Sequence, residues 1–399
     1  MNLLSCDRAG LSRSHILRPV SDHPGPALST NSRKISSITM APKVSQPVSA
    51  LKEKLAEKPT FKVVAMPDFY LDYILAYPGK LDDMAQGMVD VAGRGGGNIL
   101  GWKHLVGRGG NASNFSAQLL KLGVNVSPII ETDDFGKLAL AHFLKDADLS
   151  RVRSTGALSR TLALEAEYSG RHVNIMASDP GSLSGFGPEK LAEEDKKLIR
   201  EADFVCVFNW NQNLKGTELA EAVFQTAKTE GKGVTFFDPG DPTSRASEIS
   251  KLNERVLSKG LVDVLSVNEN ELTQLASAVT EETGEFDGDE TNPLFQAASV
   301  FSMLGSRVDL HTPAFSATFV DGQRERVLCA MSTPLKVTGA GDAWNAGDIL
   351  AQGIGLDHRE RLVFANATAA AYMGRPDLDP CSLDEILERM GEIEKLNAR

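Results

Sequence analysis

Cysteine is scarce. Four residues, Cys6, Cys206, Cys329 and Cys381, lie far apart in a chain of 399. There is no CxxC and no Cys/His cluster, which speaks against a zinc site and for free thiols in a reducing compartment. No apolar run approaches the roughly 18 residues that would span a bilayer, and no secretory leader is visible. Positive charge is also short: the formal net charge is −11. Nucleic acid and anionic membranes need a basic field, so neither is an expected partner, although a local field can still hold a small anion. Two phosphate signatures are missing. No GxxxxGK[ST] occurs, which excludes a P-loop enzyme, and Pro67-Asp68-Phe69-Tyr70 follow the first strand-like run where GxGxxG would stand.

The remaining composition is that of a globular protein, 42% hydrophobic and 24% charged, with length for one or two domains. Residues 1–58 differ. They are rich in Ser and Pro, poor in aromatics and without apolar periodicity, and are expected to be disordered. Arg8, Arg13, Arg18, Arg33 and Lys34 resemble an organelle transit peptide; the alternative is a true start at Met40. The expected location is cytoplasmic, or an organelle if residues 1–40 are a transit peptide.

From residue 59 to about 390, short apolar runs alternate with helical patterns. Strands are expected at 61–66, 124–130, 204–208, 234–237, 262–267 and 317–320. Helices are expected at 111–122, 217–228, 271–279, 342–352 and 359–373. Such alternation gives an α/β fold with a mostly parallel sheet flanked by helices, whose ligands bind beyond the carboxyl ends of the strands. Residues 76–106 and "TLALEAEYSGRHVNI" (161–175), with a turn at Ser169-Gly170, break the rhythm and read as a small antiparallel sheet.

Four stretches carry chemistry. In "KVTGAGDAWNAGD" a glycine turn opens a helix. Free amides and the helix dipole there can bind an anion, and Asp342 can serve as a base for an attacking hydroxyl. A plain turn with an Asp helix cap explains the same residues. "GRGGNASN" (107–114) repeats the pattern, with Asn111 and Asn114 able to meet sugar hydroxyls. In "SVNENEL", Asn268 and Glu271 fit a capping box; the functional reading places Glu271 near Mg²⁺ or its waters. Asp68 and Asp72 follow the first strand. They are either solvated loop charges or buried acceptors for a vicinal diol.

Together these stretches resemble the ribokinase-like (pfkB) carbohydrate kinases over about 61–384. An Asp follows the first strand, then come "GGNASN", an NxxE element and "TGAGDAWNAG", with Trp344 where Phe is usual. The resemblance implies a three-layer ribokinase-like fold with a small β-sheet lid formed by about 74–107 and 160–177. It implies ATP-dependent phosphorylation of a hydroxymethyl group. Asp342 matches the base, and the amides of Gly339, Ala340 and Gly341 the anion hole. Asp72, Gly110 and Asn114, with Asp68, match the sugar ligands. Asn268, Glu271, Thr338, Asn366 and Thr312 match the nucleotide side, with Glu271 reaching Mg²⁺ through water. A homodimer through the lid is expected, as is a small-molecule sugar or nucleoside acceptor. A nucleoside kinase, with Trp102 or Trp210 stacking a base, and a catalytically silent scaffold are the alternatives. Lys336 stands where cation-binding relatives carry Asp, so no potassium site is expected. "HTPAFSATFVDG" lacks the glycines usual in the nucleotide loop. Arg245 is either a partner for an acidic substrate or a surface arginine.

Overall fold

The computed structural model describes residue 54 and residues 58–277, 292–330, 336 and 338–398. The expectations for the N-terminal tail, for Val279 and for most of 334–337 fall outside them.

Fourteen strands are described: β1 Lys62–Met66, β2 Tyr70–Lys80, β3 Lys103–Gly109, β4 Asn125–Pro128, β5 Ile130–Glu131, β6 Val152–Arg153, β7 Ser159–Tyr168, β8 Arg171–Asp179, β9 Phe204–Phe208, β10 Val234–Asp238, β11 Val264–Val267, β12 Arg307–His311, β13 Phe315–Val320 and β14 Gln323–Leu328. The principal helices are α1 Leu81–Gly93, α2 Asn111–Lys121, α3 Asp134–Phe143, α4 Glu193–Glu201, α5 Gly216–Glu230, α6 Glu269–Ser277, α7 Pro293–Met303, α8 Ala340–Gly353, α9 His358–Met373 and α10 Leu383–Asn397.

Eight strands form the main sheet in the order β14-β13-β12-β11-β10-β9-β1-β4. All pairings are parallel from β4 to β12, and β13 and β14 add antiparallel at one edge. Side-chain alternation sorts the core onto two faces. Val64, Met66, Val205 and Val207 pack on one side with Leu219, Val223, Leu272 and Phe301, from α5, α6 and α7. Val63, Ala65, Phe204, Cys206 and Phe208 pack on the other with Phe115, Trp344, Phe364 and Ile386, from α2, α8, α9 and α10. Both faces of the central strands are therefore apolar, which is why these strands read as continuous hydrophobic runs.

A second sheet, β3-β2-β7-β8, is separate from the first. Its outer pairs are antiparallel, but β2 and β7 in the middle run parallel. The turn joining β7 and β8 places Ser169 at φ 51° and Gly170 at φ 73°, the two left-handed residues of a tight hairpin. The 76–106 stretch is not strand throughout: helix α1 interrupts it, with Asp82 and Asp83 in its first turn and Met84 buried.

Other differences have local causes. The 124–130 run breaks at Ile129, and Ile130–Glu131 pairs instead with Val152–Arg153. Strand β12 was illegible because Arg307 and Asp309 interrupt its apolar pattern. The tertiary structure accommodates them, since Arg361 on α9 donates to Asp309 at 3.0 and 3.1 Å and also to Asp348 on α8. Arg307 donates to Asp309 at 2.9 Å and to Asp348 at 3.0 Å. This buried ion group ties β12 to the two helices, and a lone charge in that position would be costly.

Candidate active site

Polar residues gather beyond the carboxyl ends of five neighbouring strands. Asp68 follows β1, Asn209 follows β9, Asp238 ends β10, Asn268 follows β11 and His311 ends β12. Two glycine turns face this region, and the structure treats them differently.

The first, at Gly110, opens α2. Gly110 has φ 90°, and a Cβ there would lie 2.8 Å from the Asp68 carboxylate, so only glycine fits. The amides of Asn111 and Ala112 donate to Asp68 at 2.7 and 2.9 Å, and Asn209 Nδ2 adds a third bond at 2.9 Å. Asp68 is thus buried and committed to its own chain: the carboxylate is itself the anion of this helix N-terminus. The second turn, at Gly339, opens α8 with φ 84°, and no side chain among the described residues caps it. A Cβ on Gly339 would stand 2.7 Å from the Tyr372 hydroxyl. The first amides of α8 remain available to an external anion.

Asp342 sits in the first turn of α8 and is only 7% exposed. Asn114 Nδ2 donates to it at 2.9 Å, and Arg108 Nε donates to Asn114 Oδ1 at 3.0 Å. The two glycine motifs, 228 residues apart, thereby meet through one amide side chain. Burial pushes Asp342 well above the ordinary carboxylate range, and the charge of Asp238 adds to the effect; Asn114 and Arg108 pull the other way. Asp72, on β2, is raised to about 6 by burial, opposed by Thr161 and Arg108.

On the other side of the site, Asn268 and Glu271 form the reciprocal capping box. The Asn268 amide donates to Glu271 Oε2 at 2.9 Å, and the Glu271 amide to Asn268 Oδ1 at 3.0 Å. Burial first, then the charges of Asp238, Asp241 and Asp342, raise Glu271 well above its usual range. Asp238 is raised to about 6 by burial despite donors from Gly240 and Asn345, the latter at 2.7 Å. Asn345 in turn accepts from Ser266 at 2.6 Å. No group of three acids or histidines close enough to hold a bare metal exists among the described residues. The cluster fits an ion that keeps most of its water, as Mg²⁺ does, and such an ion would relieve the crowded carboxylates.

Other expected residues are placed as follows. Thr338 is exposed and accepts from Asn174 on β8 at 3.4 Å, a link from the small sheet to the α8 turn. The Asn366 Oδ1 accepts from the Trp344 indole at 2.8 Å. Its Nδ2 is buried with no partner among the described residues. The Thr312 hydroxyl is spent on its own turn, donating to the Phe315 carbonyl and accepting from the Phe315 and Ala314 amides. Arg245 lies over the Trp210 ring and donates to the carbonyls of Trp210, Asn213 and Leu214, so it clamps a loop. Trp210 is a core residue whose indole donates to Thr217.

The pfkB family carbohydrate kinase profile matches residues 101–385. The chain belongs to this family. It is accordingly a phosphotransferase with an alcohol acceptor. An ATP-dependent ribose-1-phosphate kinase from Halopiger xanaduensis is 29% identical over 273 residues, 67% of this chain and 80% of that protein. The Arabidopsis thaliana ribokinase complexed with ribose and ATP superposes with a TM-score of 0.61 at 19% identity, covering 84% of this chain and 99% of that one. An E. coli protein described as a ribokinase II, in complex with ATP and Mg²⁺, gives 0.62 at 17% identity, covering 83% and 98%. At those identities the two structures establish the fold.

Three residues gathered here carry no motif signal of their own in the sequence: Arg108, Asn345 and His311. Arg108 stands in the glycine motif yet reads as an ordinary surface charge until its burial is known. Asn345 reads as one more helix residue until the fold brings its amide to Asp238. His311 lies against Trp344, ring centroids 5.1 Å apart, with its Nε2 buried and unpartnered among the described residues. Burial lowers its pKa to about 4, so it is neutral near pH 7.

Proposed function

We propose that the protein transfers the γ-phosphoryl group of ATP to a hydroxymethyl group of a sugar or sugar-like acceptor. The observation that carries this is the contrast between the two glycine turns: Asp68 plugs one, while the other is open and holds a buried carboxylate in its first turn. Asp342 takes the proton of the attacking hydroxyl. The hydroxyl oxygen bonds to the γ-phosphorus as the bond to the bridging oxygen of ADP breaks. The amides of Gly339, Ala340 and Gly341 receive the charge that develops on the phosphoryl oxygens. A pKa raised by burial is in the direction that a base for an alcohol proton requires. Asn114 orients that base and, with Asp72 and Gly110, holds the acceptor diol. Asp68 shapes this half of the site from behind.

Asn268 and Glu271 would serve the phosphate and magnesium side, Glu271 through water, while Thr338, Asn366 and Thr312 border the nucleotide. Mg²⁺ when bound neutralises phosphate charge. The small sheet acts as a lid that excludes water, tied to the α8 turn by Asn174. Similarity to a ribose-1-phosphate kinase supports a pentose acceptor. A homodimer through the lid is supported by a row of paired, part-exposed apolar residues: Tyr73, Val106 and Leu162 at 40, 55 and 42%. A cytoplasmic location belongs to the same reading.

Asp342→Asn keeps the shape and removes the base. It is expected to lower kcat by on the order of 10²–10⁴ with an unchanged thermal melt. ATP consumption over a panel of pentoses, sugar acids and nucleosides measures it. Near-normal turnover in the variant would remove Asp342 from the mechanism.

A further inference from the structure

Arg108 is the penultimate residue of strand β3 and is 6% exposed. Its Nε bonds to Asn114 and one Nη to the Leu378 carbonyl at 3.2 Å. Both partners are neutral. No carboxylate oxygen comes within 4.0 Å of the guanidinium among the described residues. A buried guanidinium satisfied only by neutral groups recovers little of its lost hydration, and an anion is the partner that restores it. Lys336 repeats the arrangement. Its Nζ donates to the Asp377 carbonyl and lies 3.6 Å from the centre of the Tyr372 ring. Two cations, one from β3 and one from the segment before α8, thus hold the carbonyls of consecutive residues in the loop after α9.

That loop is seated closely. Leu378 Cδ1 stands 2.0 Å from the point a Gly107 Cβ would occupy, so any larger residue there would displace the Leu378 side chain. Beside it is a cavity of about 310 Å³ lined by Leu105, Gly107, Arg108, Phe143, Leu378 and Asp379, among others. Burial lowers the Arg108 pKa; Tyr372, Asp379, Asp342 and Asp72, which face it, pull it back. Burial also brings Lys336 down to about 8.

We propose that Arg108, assisted by Lys336, recognises an anionic group, phosphate or carboxylate, on the acceptor substrate. The inference rests on the kinase reading for the word acceptor. Arg108 is one hydrogen bond from Asn114, which is one hydrogen bond from Asp342, so an anion on Arg108 belongs to the molecule whose hydroxyl meets the base. The phosphates of the nucleotide have their own place at the open amides of α8. The carbonyls of Asp377 and Leu378 hold the two cations until the anion displaces them.

The test is calorimetric titration of the full chain, without nucleotide, with ribose 1-phosphate, ribonate and ribose. The anionic sugars are expected to bind at least about tenfold more tightly than ribose, with a preference that falls as salt rises. Arg108→Met is expected to reduce that preference by about ten- to a hundredfold, and Arg108→Lys or Lys336→Met by less. If Arg108→Met does not fold, Arg108→Lys and the salt series on the wild type carry the test. Equal binding of ribose and its anionic analogues, binding of none of them, or an Arg108→Met variant that loses only ATP would each overturn the proposal. The kinase reading fails separately: selective binding of an anionic sugar without phosphoryl transfer sinks that reading alone. Turnover confined to neutral sugars sinks only this one.

Discussion

At the scale of single residues, the site is a chain of hydrogen bonds in which each group sets the next. Arg108 orients Asn114, and Asn114 donates to Asp342. A donor to a carboxylate favours its charged form, so Asn114 lowers a pKa that burial raises. Asn114→Leu removes the donor at similar size. Asp342 is then harder to ionise, and if it is the base, as proposed, the acidic limb of the kcat/KM profile is expected to move to higher pH by roughly one unit. A limb that stays in place or moves down would mean that the titrating group is not Asp342. The same substitution is expected to raise KM, since Asn114 is also proposed to meet the acceptor.

At the scale of elements, the helix N-terminus is the unit of function. Helices α2 and α8 begin alike, on a glycine with positive φ, but the Asp68 carboxylate takes the first amides of α2 while no side chain among the described residues takes those of α8. Gly339 holds that opening. Gly339→Ala must carry a Cβ in the left-handed region and within 2.7 Å of the Tyr372 hydroxyl. A cost of about 1–2 kcal/mol in urea unfolding is expected, with a loss of kcat exceeding the loss of stability because the amides shift from their proposed place at the phosphoryl group. Equal kcat in the variant would show that the amides need no such placement. The capping box of Asn268 and Glu271 shows the other use of a terminus: both side chains cap the helix locally, while the buried Glu271 carboxylate lies in the field of Asp238, Asp241 and Asp342.

At the scale of the whole molecule, the sheet concentrates acids at one end, and the ligand-free fold bears their repulsion. Asp72 and Asp238 are each pushed up to about 6, chiefly by burial. Their folded pKa exceeds the unfolded value near 4, so the protonated form favours the fold. That contribution is full below about pH 4 and is lost as pH rises through about 6. Asp309 works in the opposite sense: burial raises it, but Arg307 and Arg361 outweigh burial and hold it at about 2, so its contribution persists to strongly acid pH. The melting temperature of the ligand-free protein is expected to fall between about pH 4 and pH 7, and Asp238→Asn to flatten that fall. Differential scanning calorimetry across this range decides it; an unchanged slope in the variant would assign the effect to other groups.

Much of the framework was legible from short windows. The run 204–208 is strand β9, and 111–122 is α2 within a residue. Glycine turns, capping boxes and apolar periodicity are local properties, settled by neighbouring side chains and backbone sterics. Strand β12 was not legible, because Asp309 is tolerable in a core only when Arg361, 52 residues on, arrives to pair with it. Helix α1 was hidden within a stretch read as strands. The two glycine motifs look equivalent as sequence. Asp68, which the end of β1 carries to the amides of α2, 43 and 44 residues later, occupies one of them and leaves the other as the proposed anion site. Arg108 changes meaning in the same way, from a surface charge in a glycine loop to a buried cation one hydrogen bond from Asn114, the donor to Asp342. The sequence by itself determined which turns exist and which residues stand in them. Only the tertiary structure decided which amides stay free and which charges lose their water, because hydration and pairing depend on groups brought together from far along the chain.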